Sequence, residues 1–141
     1  MIHLQLVTLT GIKFDDDVYE VTLPTLDGEI GVLQDHMPLV SVATSGAIAI
    51  RKNRNDPDRA RDIFAISGGV IDVENNNLRV IVDEADHADN INEAEAEAAH
   101  QRALAMKAEA RDQVSLEHAQ TMVDRSSARL DVARLKRRHQ R

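Results

Sequence analysis

Cysteine and tryptophan are missing from this sequence, and the aromatic residues amount to one tyrosine and two phenylalanines. Without cysteine there is no disulfide framework and no thiol chemistry, a pattern that fits a reducing compartment. So few aromatics leave little to stack on nucleic-acid bases, and a formal net charge of −7 argues against a nucleic-acid binder as well. Long hydrophobic runs are also lacking. No apolar stretch nears the roughly 18 residues that span a bilayer, and the N-terminus has no basic signal-peptide flank. The expectation is a soluble protein that meets a membrane only through a partner.

Glycine and proline are confined to the first half. All six Gly and all three Pro lie at or before Gly69. Up to about residue 84 the chain reads as a β domain. Ile2, Leu4 and Leu6 alternate with His3 and Gln5, the period of a half-buried strand. Gly11 breaks that pattern. Alternation returns over Val18 to Leu23 and ends at Pro24. Leu39 to Ala43, Ala47 to Ile50, Ile63 to Ser67, Val70 to Val73 and Leu78 to Val82 follow as short strands. Turns at Ser45-Gly46, Gly68-Gly69 and Asn75 to Asn77 separate them. Strands this short and this closely spaced indicate a sandwich or flattened barrel. Arg51 to Asp62 reads as an exposed hairpin loop. Its Arg51, Lys52, Arg54, Arg59 and Arg61 have no interleaved aromatic residue to make a nucleic-acid site.

From about residue 91 the hydrophobic period changes from 2 to 3.6. Asn92 is placed to cap a helix, with Glu95 three residues on in capping-box position. Alanines dominate the following stretch and favour helix without supplying apolar bulk. In a second helix Leu116, Ala119, Val123, Ser126, Leu130 and Ala133 recur at alternating steps of three and four, a narrow seam. Asp112 suits its start. The two helices are expected to form a hairpin turning near Ala110 to Gln113, although no glycine marks the turn and a single continuous helix is an alternative. The division is thus 1–84 for the β domain, 85–90 for an acidic linker and 91–141 for the helices.

Charge is unevenly spread. Asp83, Glu84, Asp86, Asp89, Glu93, Glu95 and Glu97 crowd residues 83 to 99, with no Lys or Arg among them. Arg125, Arg129, Arg134, Lys136, Arg137, Arg138 and Arg141 crowd the last 17 residues against Asp131 alone. Such a gradient suits two antiparallel helices or an acidic partner for the tail.

No constellation reads as an active site. Asp83 to Asp89 offers oxygen ligands and His87, yet lacks the Gly of a calcium loop and the spaced His or Cys of a zinc site. The six His residues are scattered, with no metal-binding pair on a helix and no partner nucleophile. Ser67-Gly68-Gly69 has neither the spacing nor the lysine of a phosphate loop. No catalytic residue, metal or cofactor is expected.

The most informative stretch is Thr25 to Val40. Asp27-Gly28 is a strong turn dipeptide. Gly31 inside strand-like sequence suggests a bulge or a close backbone approach. Asp35 to Pro38 makes a second corner, where Pro38 pushes Met37 towards extended geometry. Physics alone reads a structural double turn that exposes Glu29 and His36.

The same run resembles the signature of the epsilon-subunit family of F-type ATP synthases, Gly-Glu-apolar-Gly-apolar-apolar-Pro-x-His-x-Pro-Leu. It matches at Gly28, Glu29, Gly31, His36, Pro38 and Leu39 and departs at Gln34, where the family usually has proline. Phe64 to Val73 is a second similar block, and with the general layout the resemblance covers nearly the whole chain.

The resemblance implies an α+β fold, an antiparallel β-sandwich followed by a two-helix antiparallel hairpin. It also implies a non-catalytic part of the central stalk, which couples rotation of the membrane ring of c subunits to ATP synthesis and regulates ATP hydrolysis through its helices. The implied partners are the gamma subunit, the c-ring and, transiently, the alpha and beta catalytic subunits, at the cytoplasmic face of the membrane. Glu29, Gly31, His36 and Pro38 would face the gamma subunit and c-ring, with His36 on the same lower surface as Glu29. Arg134, Lys136, Arg137 and Arg138 would meet acidic loops of the catalytic subunits when the hairpin extends.

Some members bind ATP through a motif resembling (Ile/Leu)-Asp-x-x-Arg-Ala. Here Ile91 and Ala96 match, but Asn92 replaces the Asp and Glu95 replaces the Arg. A carboxylate repels the phosphates that a guanidinium would pair with, so ATP binding is not expected. The other reading is a free-standing adaptor of sandwich and hairpin without enzymatic activity.

Overall fold

The computed structural model describes residues 1–139; Gln140 and Arg141 lie outside the described residues, so Arg141 of the basic run is not placed. Ten strands precede two helices. They are β1 (Ile2–Thr8), β2 (Gly11–Val18), β3 (Glu20–Thr25), β4 (Gly28–Leu33), β5 (Leu39–Ala43), β6 (Gly46–Arg51), β7 (Asp62–Ile66), β8 (Gly69–Glu74), β9 (Asn77–Val82) and β10 (Ala85–His87). The helices are α1 (Glu93–Glu109) and α2 (Gln113–His139), and short 3-10 turns occupy Asp58–Ala60 and Ala88–Asn90.

The strands form one hydrogen-bonded path, β10-β7-β6-β3-β5-β8-β9-β1-β2, with β4 paired to β3. β3 and β5 share only the pair Thr25 and Ala43, so the path bends there into two layers. Ile2, Leu4, Leu6, Val18, Val21, Leu23, Ile48, Ile50, Phe64, Ile71, Leu78 and Val80 fill the space between them, each at most 5% exposed. Burying side chains of this size stabilises by roughly 1.5–3 kcal/mol each before entropy is counted. Phe14 and Phe64, the only two phenylalanines, meet edge to face at 6.3 Å.

The sandwich agrees with the sequence reading, with four local differences. The pairing is antiparallel except for β1 and β9, which run parallel. The sequence pattern does not predict β2, because Asp15, Asp16 and Asp17 disfavour strand. It forms because His3, opposite Asp17 on β1, places Nδ1 2.8 Å from Asp17 and Nε2 2.6 Å from Asp15. Pro24 does not end β3. The partner β6 pairs only with Glu20 to Thr22, so no neighbour on that side needs a donor from Pro24. Residues 85–90 are not a free linker. Ala85 to His87 pair with Ile66 to Phe64, Ala85 joins the core, and His87 stacks edge-on against Phe64 at 5.0 Å.

The helices are a hairpin, not one rod. Ala110 is extended at φ −65° and ψ 131°, and the Asp112 carboxylate accepts from the Ser115 amide at 2.7 Å, capping α2. Extended Ala110 ends α1 without a left-handed residue, and the Asp112 cap starts α2 as a separate helix. At the start of α1, Asn92 accepts from the Glu95 amide at 2.9 Å. Of the expected seam, Ala119, Ser126, Leu130 and Ala133 are buried, Val123 is half-buried and Leu116 is exposed. α2 also buries a second stripe. Ala128, Val132 and Leu135 pack on Ala47, Ala49, Ile63, Ala65 and Ala88, so the hairpin lies folded on β6 and β7. No described helix is long and apolar enough to cross a membrane.

Candidate functional site

The β3–β4 hairpin turns where expected. Gly28 adopts φ 114°, a conformation costly for any residue with a side chain. The Thr25 hydroxyl donates to the Gly28 carbonyl at 2.6 Å, closing the turn. Glu29 follows, exposed, opposite Pro24. Gly31 makes neither a bulge nor a close approach. It pairs in regular register with Thr22, and a Cβ added there would meet nothing within 4 Å.

The second corner is held from outside. Asp35 sits at φ 63°, its amide donates to Asn76 Oδ1 at 2.6 Å, and Asn76 Nδ2 donates back to its carboxylate at 3.3 Å. Asn75 and Asn76 are themselves at positive φ, so the β8–β9 turn and the Asp35 corner lock each other. Gln34, at the position of the family's proline, accepts from the Met1 ammonium. His36 is half-buried with Nδ1 donating to the Met37 carbonyl at 2.7 Å, and Pro38 is exposed. Glu29 and His36 therefore belong to opposite ends of β4. At about 3.3 Å per residue, roughly 13 Å of strand runs from Glu29 to Leu33, and His36 lies beyond it in the turn where its amide donates to the Leu33 carbonyl. They do not form one turn.

The register shows a feature the sequence reading missed. On the outer face of the second layer Ile12 pairs with Val7, Val7 with Ile81, Ile81 with Val70 and Val70 with Val42. This continuous apolar row crosses β2, β1, β9, β8 and β5. Ile12, Val42, Val70 and Ile81 are 56, 52, 46 and 45% exposed, and Val40 beside them is 73% exposed. The row is bordered by a charged one, with Asp15, Arg79 and Asp72 on the same strands. Each strand shows its outward valine or isoleucine in sequence, but only the register joins them. Cross-strand neighbours of this kind make a surface that water solvates poorly.

Three of the four tail cations are already paired within the chain. Arg134 reaches Glu97 at 3.0 Å and Glu93 at 3.8 Å, Arg137 reaches Glu93 at 3.0 Å, and Lys136 reaches Asp89 at 2.9 Å. Arg138 is exposed and joins no ion pair among the described residues. Earlier on α2, Arg125 lies 3.4 Å from Glu84 and 3.5 Å from Asp83, and Arg129 lies 3.4 Å from Asp86. The stretch read for ATP serves the fold. Asn92 caps α1, Ala96 is fully buried, Ile91 packs against the contact beneath α2, and Glu95 is exposed. In the Arg51 to Asp62 loop, Arg51 donates to Asp58 at 2.5 Å and Lys52 lies 3.1 Å from Asp62. Those basic residues hold the loop itself.

A two-layer β-sandwich carrying a folded C-terminal helical hairpin is the class of protein these features define. Residues 1–88 match the family described as ATP synthase, Delta/Epsilon chain, beta-sandwich domain. An ATP synthase epsilon chain of Chloroflexus aggregans is 34% identical over 134 residues, covering 95% of this chain and 93% of that one. Another from Herpetosiphon aurantiacus is 32% identical over 139 residues, covering 99% and 98%. A chain of the Euglena gracilis mitochondrial ATP synthase, in a structure of OSCP, F1 and c-ring, shares the fold with a TM-score of 0.78 at 22% identity. It covers 94% of this chain and 80% of that one. The chain belongs to the epsilon-subunit family of ATP synthases.

Proposed function

We propose that the chain works as a non-catalytic subunit of the central stalk. In this reading the sandwich joins the gamma subunit and rests on the c-ring, coupling rotation to ATP synthesis. The hairpin regulates ATP hydrolysis by leaving the sandwich and reaching the alpha and beta subunits. The protein is then peripheral, held at the cytoplasmic face of the membrane through the complex.

The observation that carries this reading is the exposed apolar row from Ile12 to Val42. An apolar surface crossing five strands and left open beside a complete core calls for a protein partner. Glu29, at the β3–β4 turn, is exposed and free to meet polar loops. The family relationship favours the stalk over a free-standing adaptor. The test adds the purified chain to an ATP synthase stripped of its epsilon subunit. Restored coupling between ATP hydrolysis and ion pumping, together with reduced uncoupled hydrolysis, is expected. If neither changes while the chain remains folded, the reading fails.

A further inference from the structure

The ion pairs of α2 form two ladders rather than a scatter. Arg125, Arg129 and Lys136 recur at steps of four and seven and so share one helix face. They meet Asp83 and Glu84, then Asp86, then Asp89, in the same order along both segments. Arg134 and Arg137 form the next stripe and meet Glu97 and Glu93 in the reverse order, as the antiparallel α1 requires. All five cations thus reach residues between Asp83 and Glu97.

The apolar contact beneath these ladders is thin. Ala49, Ala65, Ala88 and Ala128 make up most of it, with Ile63 and Val132 as its only larger fully packed members. Small side chains allow close approach but bury little apolar area. Docking must therefore lean on charge to an unusual degree. Single exposed ion pairs contribute little, whereas several in register act together. Arg125 also holds its Nε buried without a hydrogen-bond partner among the described residues, and the buried Arg129 Nε faces Asp86 at 3.4 Å without hydrogen-bond alignment. That desolvation opposes the docked state and is relieved when α2 leaves.

We propose that the acidic strip from Asp83 to Glu97 is an internal decoy for the basic face of α2. It imitates an acidic protein surface: Asp83 to Asp89 hold α2 on the sandwich, Glu93 and Glu97 of α1 hold it within the hairpin, and together they withhold Arg134, Lys136 and Arg137 from outside partners. An acidic partner must then displace the strip before it can bind the tail, and salt weakens the strip's hold. The use of this device in the enzyme rests on the regulatory reading above, but the decoy itself is a property of the isolated chain.

The test uses the full chain with Asp27→Cys in the β3–β4 turn and Arg111→Cys at the hairpin tip. The absence of native cysteine makes both labels unique. Their separation is measured by pulsed electron resonance at about 0.01 M and about 1 M salt, where charges are screened over roughly 30 and 3 Å. The docked distance should dominate at low salt and give way to longer ones at high salt.

Asp86→Asn, Asp89→Asn and Glu93→Gln combined should open the hairpin at low salt and remove most of the salt effect. The same variant should bind polyglutamate, used as an acidic probe, roughly tenfold more tightly than the parent. Exchanging a pair, Asp86→Arg with Arg129→Asp, should keep the docked distance and shows that charge rather than fold damage is being read.

A docked distance indifferent to salt and to the triple variant overturns the decoy, as does an open variant that binds the probe no better than the parent. Either failure leaves the regulatory reading of the hairpin standing. That reading falls instead if opening the hairpin on the isolated chain leaves hydrolysis by the reconstituted enzyme unchanged.

Discussion

Lys136 Nζ lies 2.9 Å from Asp89 Oδ1, tying the last turns of α2 to the short segment that follows β10. That ammonium is the main reason the Asp89 carboxyl is held below the ordinary aspartate value of 3.8. A depressed folded-state pKa contributes stability above the unfolded value and loses it as pH falls through the folded one. Acid below about pH 4 should therefore loosen the end of α2. Carbon-detected NMR should find Asp89 titrating below 3.8 in the parent and moving back towards it in Lys136→Ala. An unshifted Asp89 in the parent contradicts the pairing.

His3 has the opposite sign. Hydrogen bonding to Asp17 first, and to Asp15 second, raises its pKa above 6.5. Its contribution is complete below 6.5 and is lost as pH rises through the higher folded value. The melting temperature should decline across that alkaline window, and His3→Gln should flatten the decline. NMR of the ring protons checks the premise directly; a midpoint at or below 6.5 sinks it.

Two glycines make a controlled comparison. A Cβ on Gly69 would stand 2.0 Å from the Ile81 carbonyl oxygen and 2.9 Å from its carbon, backbone that cannot swing aside, and 2.8 Å from the Val82 side chain. Gly69→Ala should cost about 3 kcal/mol. Gly31 has negative φ and open space, so Gly31→Ala should change stability by no more than about 0.5 kcal/mol. Denaturant melts decide between them, and equal costs would mean the β8–β9 register is wrong.

The sandwich should fold without the hairpin, but its boundary matters. The main core draws only on residues from Ile2 to Ala85. A chain ended after Asn90 keeps β10 and should melt cooperatively. One ended after Glu84 loses the β10 pairing and the buried Ala85. It should be about 1–2 kcal/mol less stable, or roughly 5–10 °C lower in Tm. If both melt alike, β10 adds nothing to the domain.

Much of this fold is legible in the sequence because alternation and capping are local. Ile2, Leu4 and Leu6 declare β1 by period alone, and Asn92 and Asp112 mark the helix starts by the chemistry of their own side chains. What escapes is what depends on distant partners. β2 looks unlike a strand until His3 is placed across from Asp17. Ala85 to His87 looks like solvated linker until β7 offers an edge. Gly31 looks like a bulge because glycine signals several backbone roles, and only the regular pairing with Thr22 excludes that one. The charge gradient is visible in the sequence and suits antiparallel helices, as Arg134 and Arg137 meet Glu97 and Glu93. The pairing of Arg125, Arg129 and Lys136 with residues 83 to 89 depends instead on the fold. The docking of Ala128 and Val132 on the sandwich was hidden, because alanine and valine at that spacing serve any small helix contact. The apolar row is the extreme case. Val42, Val70 and Ile81 lie on three strands, and no window of sequence contains them together.

That row is also where the central claim is most exposed to test. Calorimetric titration of the purified gamma subunit with this chain, and with Val70→Asp combined with Ile81→Asp, measures the proposed stalk contact directly. Both side chains are about half exposed, so the fold should survive the change and can be checked by circular dichroism. The parent should bind tightly, and the double variant should lose at least about a hundredfold in affinity, the scale of two interface anchors. Undiminished binding by the folded double variant, or no binding by the parent, contradicts the account.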